Sequence, residues 1–224
     1  MPVKYLQRQL VSNYDPNRDH AVLPREQTRK FWQLQSDLDP HIFVDDHEYI
    51  GRGPVAQRCI RTQHLLVSAN NGRNVRPSIR SLNEAFSTDV FAAVQAKDLR
   101  TYAYFTTSVL NATITIQGPD AHAQANHEGA CNCQALNFLV EACGNRLTGQ
   151  HFQRRVASHL ITLTIIIDKA VDHFDSVYTT TEAGRRAFTD SEEGVVVSKL
   201  EGVAGTTVVA DSTTRRVCIP VGGL

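Results

Sequence analysis

Histidine and cysteine crowd one short stretch of this 224-residue chain. His122, His127, Cys131 and Cys133 all fall within HAQANHEGACNC. Imidazole and thiolate are the ligands zinc prefers, and a loop running into a helix start could converge four of them. The spacing argues against it. There is no C-x-x-C pair, and on a helix Cys131 and Cys133 would point about 200° apart. The alternative is a polar loop entering a helix with small buried thiols, since free cysteine often packs as a core residue. That alternative is the expectation, so no cofactor is expected. A zinc deaminase would need H-x-E followed by P-C-x-x-C; His127 and Glu128 are adjacent and no such pair follows. As a nucleophile, Cys131 near a helix N-terminus would be the better thiolate, with His122, His127, His151 and His159 as candidate bases.

Three arginine pairs stand out: Arg154-Arg155, Arg185-Arg186 and Arg215-Arg216. With Arg73, Arg76 and Arg80 they could track a phosphate backbone, making Arg154, Arg155, Arg185 and Arg186 candidate nucleic-acid contacts. However, 23 Lys+Arg face 23 Asp+Glu, a net charge of zero. That balance removes the long-range field most nucleic-acid binders use, and favours ion pairs. Asp45-Asp46 with His47-Glu48 could bind a divalent cation, against a solvated turn. No Walker A loop, strand–G-x-G-x-x-G–helix, G-x-S-x-G elbow or H-E-x-x-H is present.

The elements that must position these groups read as follows. Residues 1–54 hold five of the eight prolines and read as an extended N-terminal arm with one short helix at 25–37. Residues 55–76 read as a strand pair turning at Asn71-Gly72. Residues 78–98 read as a helix capped by Ser78, with Ile79, Leu82, Phe86, Val90, Phe91 and Val94 on one stripe. Thr-, Tyr- and β-branched-rich 101–117 favours a strand. Residues 131–147 suit a helix with Leu136, Leu139, Val140, Cys143 and Leu147 on one face.

Residues 150–175 carry two competing periods. Phe152, Val156, Leu160, Leu163, Ile167, Val171 and Phe174 fit a helix, while 158–167 also alternates as a strand. A helix is expected because the stripe continues through both ends. A shorter helix is read at 180–190, and the Val-rich tail reads as a C-terminal β-hairpin or meander. The class expected is α+β: an N-terminal arm over 1–54 and one globular body over 55–224, helical at its centre with short strands at 55–76 and 101–117.

Apolar residues at 42% and charged residues at 21% exclude disorder. No apolar run approaches the ~18 residues of a membrane span. The opening MPVKYLQRQL lacks the apolar core of an export leader. The odd cysteine count then fits reduced thiols and a cytoplasmic or particle-bound chain.

Arg outnumbers Lys, which suits interfaces. A long arm poor in apolar residues needs something to hold it. With no catalytic signature, the reading is a structural subunit of a self-assembling particle, a virion or phage coat, tail or connector protein. It would form a homo-oligomer through its arm and contact nucleic acid if it packages a genome. The competing readings are an intracellular enzyme with a Cys/His or zinc site in 122–133, and a nucleic-acid-binding protein using the Arg pairs.

Overall fold

The computed structural model of the protein describes residues 15–18, 20, 25–50, 63–69, 75–104, 106–110, 113–117, 133–145, 149, 151–190, 196–199 and 207–209. A central sheet is built from β1 (Ile42–Ile50), β2 (Leu65–Ala69), β3 (Thr101–Ala103) and β6 (Leu136–Asn145) in the order β1-β6-β2-β3. β1 runs parallel to β6, β2 antiparallel to β6, and β2 parallel to β3. Two antiparallel pairs lie outside this sheet: β4 (Thr106–Leu110) with β5 (Thr113–Gln117), and β7 (Val196–Lys199) with β8 (Thr207–Val209). The helices are α1 (Glu26–Leu38), α2 (Pro77–Gln95), α3 (Phe152–Asp172) and α4 (Phe174–Thr189). The class is α+β, as expected. Parallel strands cannot be joined by a tight turn, and α2 is the crossover that links β2 to β3.

The core lies between the sheet and the α2, α3 and α4 layer. Leu136, Phe138, Val140 and Ala142 of β6 meet Leu65 and Val67 of β2 and Ile79, Phe86, Val90 and Val94 of α2. The stripe expected on α2 is therefore the buried one, with Leu82 and Phe91 packed at its margin. The cap differs. Pro77 occupies the first turn, Arg76 is the N-cap, and the Gln134 Oε1 accepts from the Arg76 amide at 3.0 Å. Proline at this position lacks only an amide hydrogen the helix could not use.

Residues 136–145 form a strand where the sequence predicts a helix. Leu139 on the opposite face is also buried, 2% exposed. A strand buried on both faces reads as a continuous apolar run, which periodicity cannot separate from a helix. Pairing with β1 on one side and β2 on the other decides the matter. Asn83 completes the ladder. Its Nδ2 donates to the Asn137 carbonyl at 3.2 Å and its Oδ1 accepts from the Asn137 amide at 2.6 Å.

The extended-arm expectation also needs correction. Residues 42–50 are a sheet strand, and α1 packs within the chain. Phe31 meets Phe43 edge-on at 6.0 Å, and the buried Trp32 Nε1 donates to His20 Nδ1 at 3.0 Å. The predicted turn at Asn71-Gly72, the first fourteen residues and the 217–224 tail lie outside the described residues.

Over 150–175 the helix prevails, but its orientation is inverted. Phe152, Val156, Leu160, Ile167 and Val171 are exposed, while Ser158, Thr162, Ile165 and Ile166 are buried. Two of the buried residues are polar, and they satisfy themselves locally. Ser158 Oγ donates to the Arg154 carbonyl and Thr162 Oγ1 to the Ser158 carbonyl, each at 2.8 Å. Such back-bonding lets a hydroxyl enter a core without an unpaired donor.

A buried guanidinium fastens α4 to the entry of β1. Arg185 Nη1 lies 3.2 Å from Asp39 Oδ2 and 3.0 Å from Glu182 Oε1. Its Nη2 donates to the Pro40 carbonyl at 2.7 Å and its Nε to the Cys133 carbonyl at 3.3 Å. Beside it, His41 Nδ1 meets Thr181 Oγ1 at 2.7 Å. Burial, then the Arg185 charge, holds His41 below the ordinary histidine value, with Glu182 and Asp39 opposing. His64 is lowered in the same way by burial, then by Arg100 and Arg154.

Two outcomes follow from this node. Arg185→Ala strands two carboxylates and two carbonyls and should cost about 3 kcal/mol of unfolding free energy by urea titration. Both histidines titrate lower in the native state, so the unfolded chain binds protons better at mildly acidic pH. Their stabilisation is complete above about pH 6.5 and is lost as pH falls through the lowered native values. The urea midpoint should drop from pH 7 to 5, and His41→Gln with His64→Gln should flatten that drop.

Candidate functional site

Strand alternation splits the Asp45-Asp46-His47-Glu48 run, which the sequence presents as one acidic cluster. Ile42 and Val44 pack toward the helices. Asp46 and Glu48 follow them to that side: His159 Nδ1 of α3 lies 3.0 Å from Asp46 Oδ1, and Arg155 holds Glu48 through two bonds of 2.6 and 2.7 Å. The Glu48–Arg155 pair lies flat over Gly144, where any Cβ would overlap both the guanidinium and the carboxylate. Asp45 and His47 therefore occupy the opposite face, the one on which Phe43 meets Phe31 of α1. There His47 Nε2 lies 3.0 Å from Asp45 Oδ2, with Asp45 9% exposed.

The parallel register then supplies a partner. His47 is the Cα partner of Glu141, and Glu141 in turn of Leu66, which pairs with Tyr102. One row thus crosses all four strands: His47, Glu141, Leu66, Tyr102. Adjacent strands sit about 4.8 Å apart, so His47 and Glu141 are immediate neighbours. The Glu141 side chain shares the face of Cys143, which packs with Tyr49, Leu66 and Tyr104. Ser68, buried, lies one row away opposite Leu139. The row sits in the C-terminal half of both parallel strands, β1 and β6. That end is where open sheets with parallel strands place ligands.

This arrangement can do acid–base chemistry. A carboxylate at Glu141 can take a proton from water, and an imidazole held by a carboxylate is oriented for transfer or ligation. Metal-bound histidines characteristically use such a carboxylate partner. Among the described residues no group of three His, Cys, Asp or Glu side chains converges as a metal site.

The residues singled out by sequence fall elsewhere. His122, His127 and Cys131 lie outside the described residues. Cys133 is disulfide-bonded, so its sulfur is not a free thiolate, contrary to the reduced thiols expected. Cys143 is a free thiol, half-buried. Arg155 and Arg185 are engaged with carboxylates inside the fold, whereas Arg154 is half-buried and Arg186 exposed. Arg215 and Arg216 lie outside the described residues. Glu141 is not singled out by the sequence, because its segment reads as a helix. Its signal is the single charged residue inside a mostly apolar strand, LNFLVEAC.

No helix among the described residues is long and apolar enough to cross a membrane. No family model matches the chain, and no solved structure matches it. Curated proteins do. The chain is 39% identical over 203 residues to the probable carboxypeptidase 2 of Trichophyton verrucosum, covering 88% of this chain and 39% of that protein. It is 38% identical to carboxypeptidase 2 of Trichophyton equinum and 37% identical to that of Trichophyton rubrum, covering 88% of this chain and 37% of each. The chain thus spans under two-fifths of the length of the curated relatives it matches. These relatives overturn the expectation of a virion or capsid subunit: over most of its length the chain is similar to proteins named as peptidases, not to particle proteins.

Proposed function

We propose that the chain is part of a peptidase of the carboxypeptidase type and that the His47–Glu141 row lines its catalytic cleft. The observation that supports this is the register pairing of His47 with Glu141 on the sheet face opposite α2, α3 and α4. The substrate class is a polypeptide with a free carboxyl end, and the reaction is hydrolysis of its last peptide bond. Glu141 acts as general base. It takes a proton from water as the water oxygen bonds to the scissile carbonyl carbon. It returns that proton to the amine nitrogen as the carbon–nitrogen bond breaks. His47, steadied by Asp45, contributes an imidazole nitrogen beside the reacting carbonyl. The remaining parts of such a cleft would come from polypeptide matching the rest of the relatives.

The test replaces the matching region of the Trichophyton rubrum carboxypeptidase 2 with this chain and follows release of C-terminal residues from a peptide. The chimera should be active. Glu141→Gln should lower kcat by about 10²–10⁴-fold with the circular dichroism unchanged. An active chimera in which Glu141→Gln stays within threefold would remove Glu141 from the reaction.

A further inference from the structure

The sheet end toward which β1 and β6 run gathers positive charge. His64 stands just before β2 and Arg100 just before β3. The Arg100 carbonyl accepts from the His64 amide at 2.8 Å, and the His64 carbonyl accepts from the Cys143 amide at 3.0 Å. Cys143, His64 and Arg100 thus lie side by side, one row beyond Glu141 and Leu66. Helix α3 packs over β6, and its first turn brings Arg155 against Gly144, the residue after Cys143. Arg154 precedes Arg155, and its charge acts on His64 after burial and Arg100, with no carboxylate opposing them.

This corner is rich in donors and short of acceptors. Arg155 is occupied by Glu48, and Arg185 by Asp39 and Glu182. Among the described residues, no carboxylate lies within ion-pair distance of Arg100 or Arg154. The His64 ring makes the shortage explicit. The Arg100 amide faces its Nδ1 at 3.3 Å, and Arg100 Nη2 faces its Nε2 at 3.1 Å. Both of these partners are N–H groups. A neutral imidazole has one accepting nitrogen, and a protonated one has none. At least one N–H therefore points at another N–H, and an anionic oxygen beside them would accept from both. Arg100 is exposed, so such an anion can enter from solvent.

We propose that His64, Arg100 and Arg154 form a subsite for a carboxylate side chain of the peptide substrate, on the amino side of the scissile bond. That the ligand is a substrate rests on the peptidase reading; the preference for an anionic oxygen rests on the donor cluster alone. Strand spacing sets the separation. His64 is one strand and two residues from Glu141, about 8 Å between backbones, and Arg100 is one strand further, about 12 Å. On the leaving side of the bond there is a single residue, whose side chain falls short of that span. An extended chain advances about 3.3–3.6 Å per residue, so an Asp or Glu two or three residues before the bond reaches the corner. A guanidinium offers such a carboxylate paired, charge-assisted donors. Nucleic acid is the lesser fit: the net charge of zero supplies no attracting field, and one corner holds one anion rather than a row of phosphates.

The test measures binding of short fluorescein-labelled peptides to the 224-residue chain by anisotropy. One peptide carries Glu at the third and fourth positions from its carboxyl end, and its twin carries Gln there. The Glu peptide should bind at least tenfold more tightly at low salt, and the advantage should shrink as salt screens it. Arg100→Glu and Arg154→Glu should each remove the advantage with helix content unchanged. The His64 imidazole, followed by nuclear magnetic resonance, should titrate higher with the Glu peptide bound, because a carboxylate favours its charged form. Equal binding of the two peptides would overturn the proposal. So would an advantage indifferent to both substitutions, or a single-stranded oligonucleotide bound as tightly as the Glu peptide. Release of C-terminal residues by the chimera is read separately. Charge-selective binding with no release from either peptide would sink the peptidase reading and leave the carboxylate site standing, and an active chimera with equal kcat/KM on both peptides would do the reverse.

Discussion

The parallel ladder between β1 and β6 is the constraint on which the rest of the structure depends. Nine consecutive positions of β1 have partners on β6, with one irregularity between Tyr49 and Ile50. Because side chains alternate, this single register sends Ile42 and Val44 to the helix core and Asp45 and His47 to the other face. It also sets His47 opposite Glu141. A slip of one residue would bury His47 and Asp45 among leucines and expose the core set. The hydrophobic requirement of one face thus fixes the chemistry of the other.

Polar contacts hold the helix layer at that register. Glu48–Arg155 and Asp46–His159 tie α3 to β1, and Arg185 ties α4 to the turn that enters β1. Asn83 ties α2 to the backbone of β6. Each contact bridges two elements distant in sequence, and each satisfies groups that would be costly to bury alone. Gly144 lets the Glu48–Arg155 pair lie directly on the strand. Gly184 does the same between α4 and α2, since a Cβ there would overlap Ile79.

The legible parts of the sequence were those whose burial has one side. α2 buries one stripe and leaves the rest wet, so Ile79, Phe86, Val90 and Val94 announce it. β6 buries both sides, so Leu136 through Ala142 carry no usable period, and Glu141 vanished into a supposed helix. α3 was legible as a helix but not in its orientation, because the flank it buries is partly Ser and Thr. The candidate site was illegible for a related reason: Asp45 through Glu48 read as one cluster until alternation divided them, and only long-range pairing brings Glu141 beside His47. Absence of a catalytic signature misled the functional reading, since neither residue belongs to a short motif.

The register itself can be measured directly. Backbone nuclear Overhauser contacts across the two strands in isotope-labelled protein report which residues are neighbours. The account predicts contacts between His47 and the backbone flanking Glu141, together with Val44 to Phe138. Contacts displaced by one residue, placing His47 opposite Val140 or Ala142, would put the imidazole and the carboxylate on different faces and contradict it.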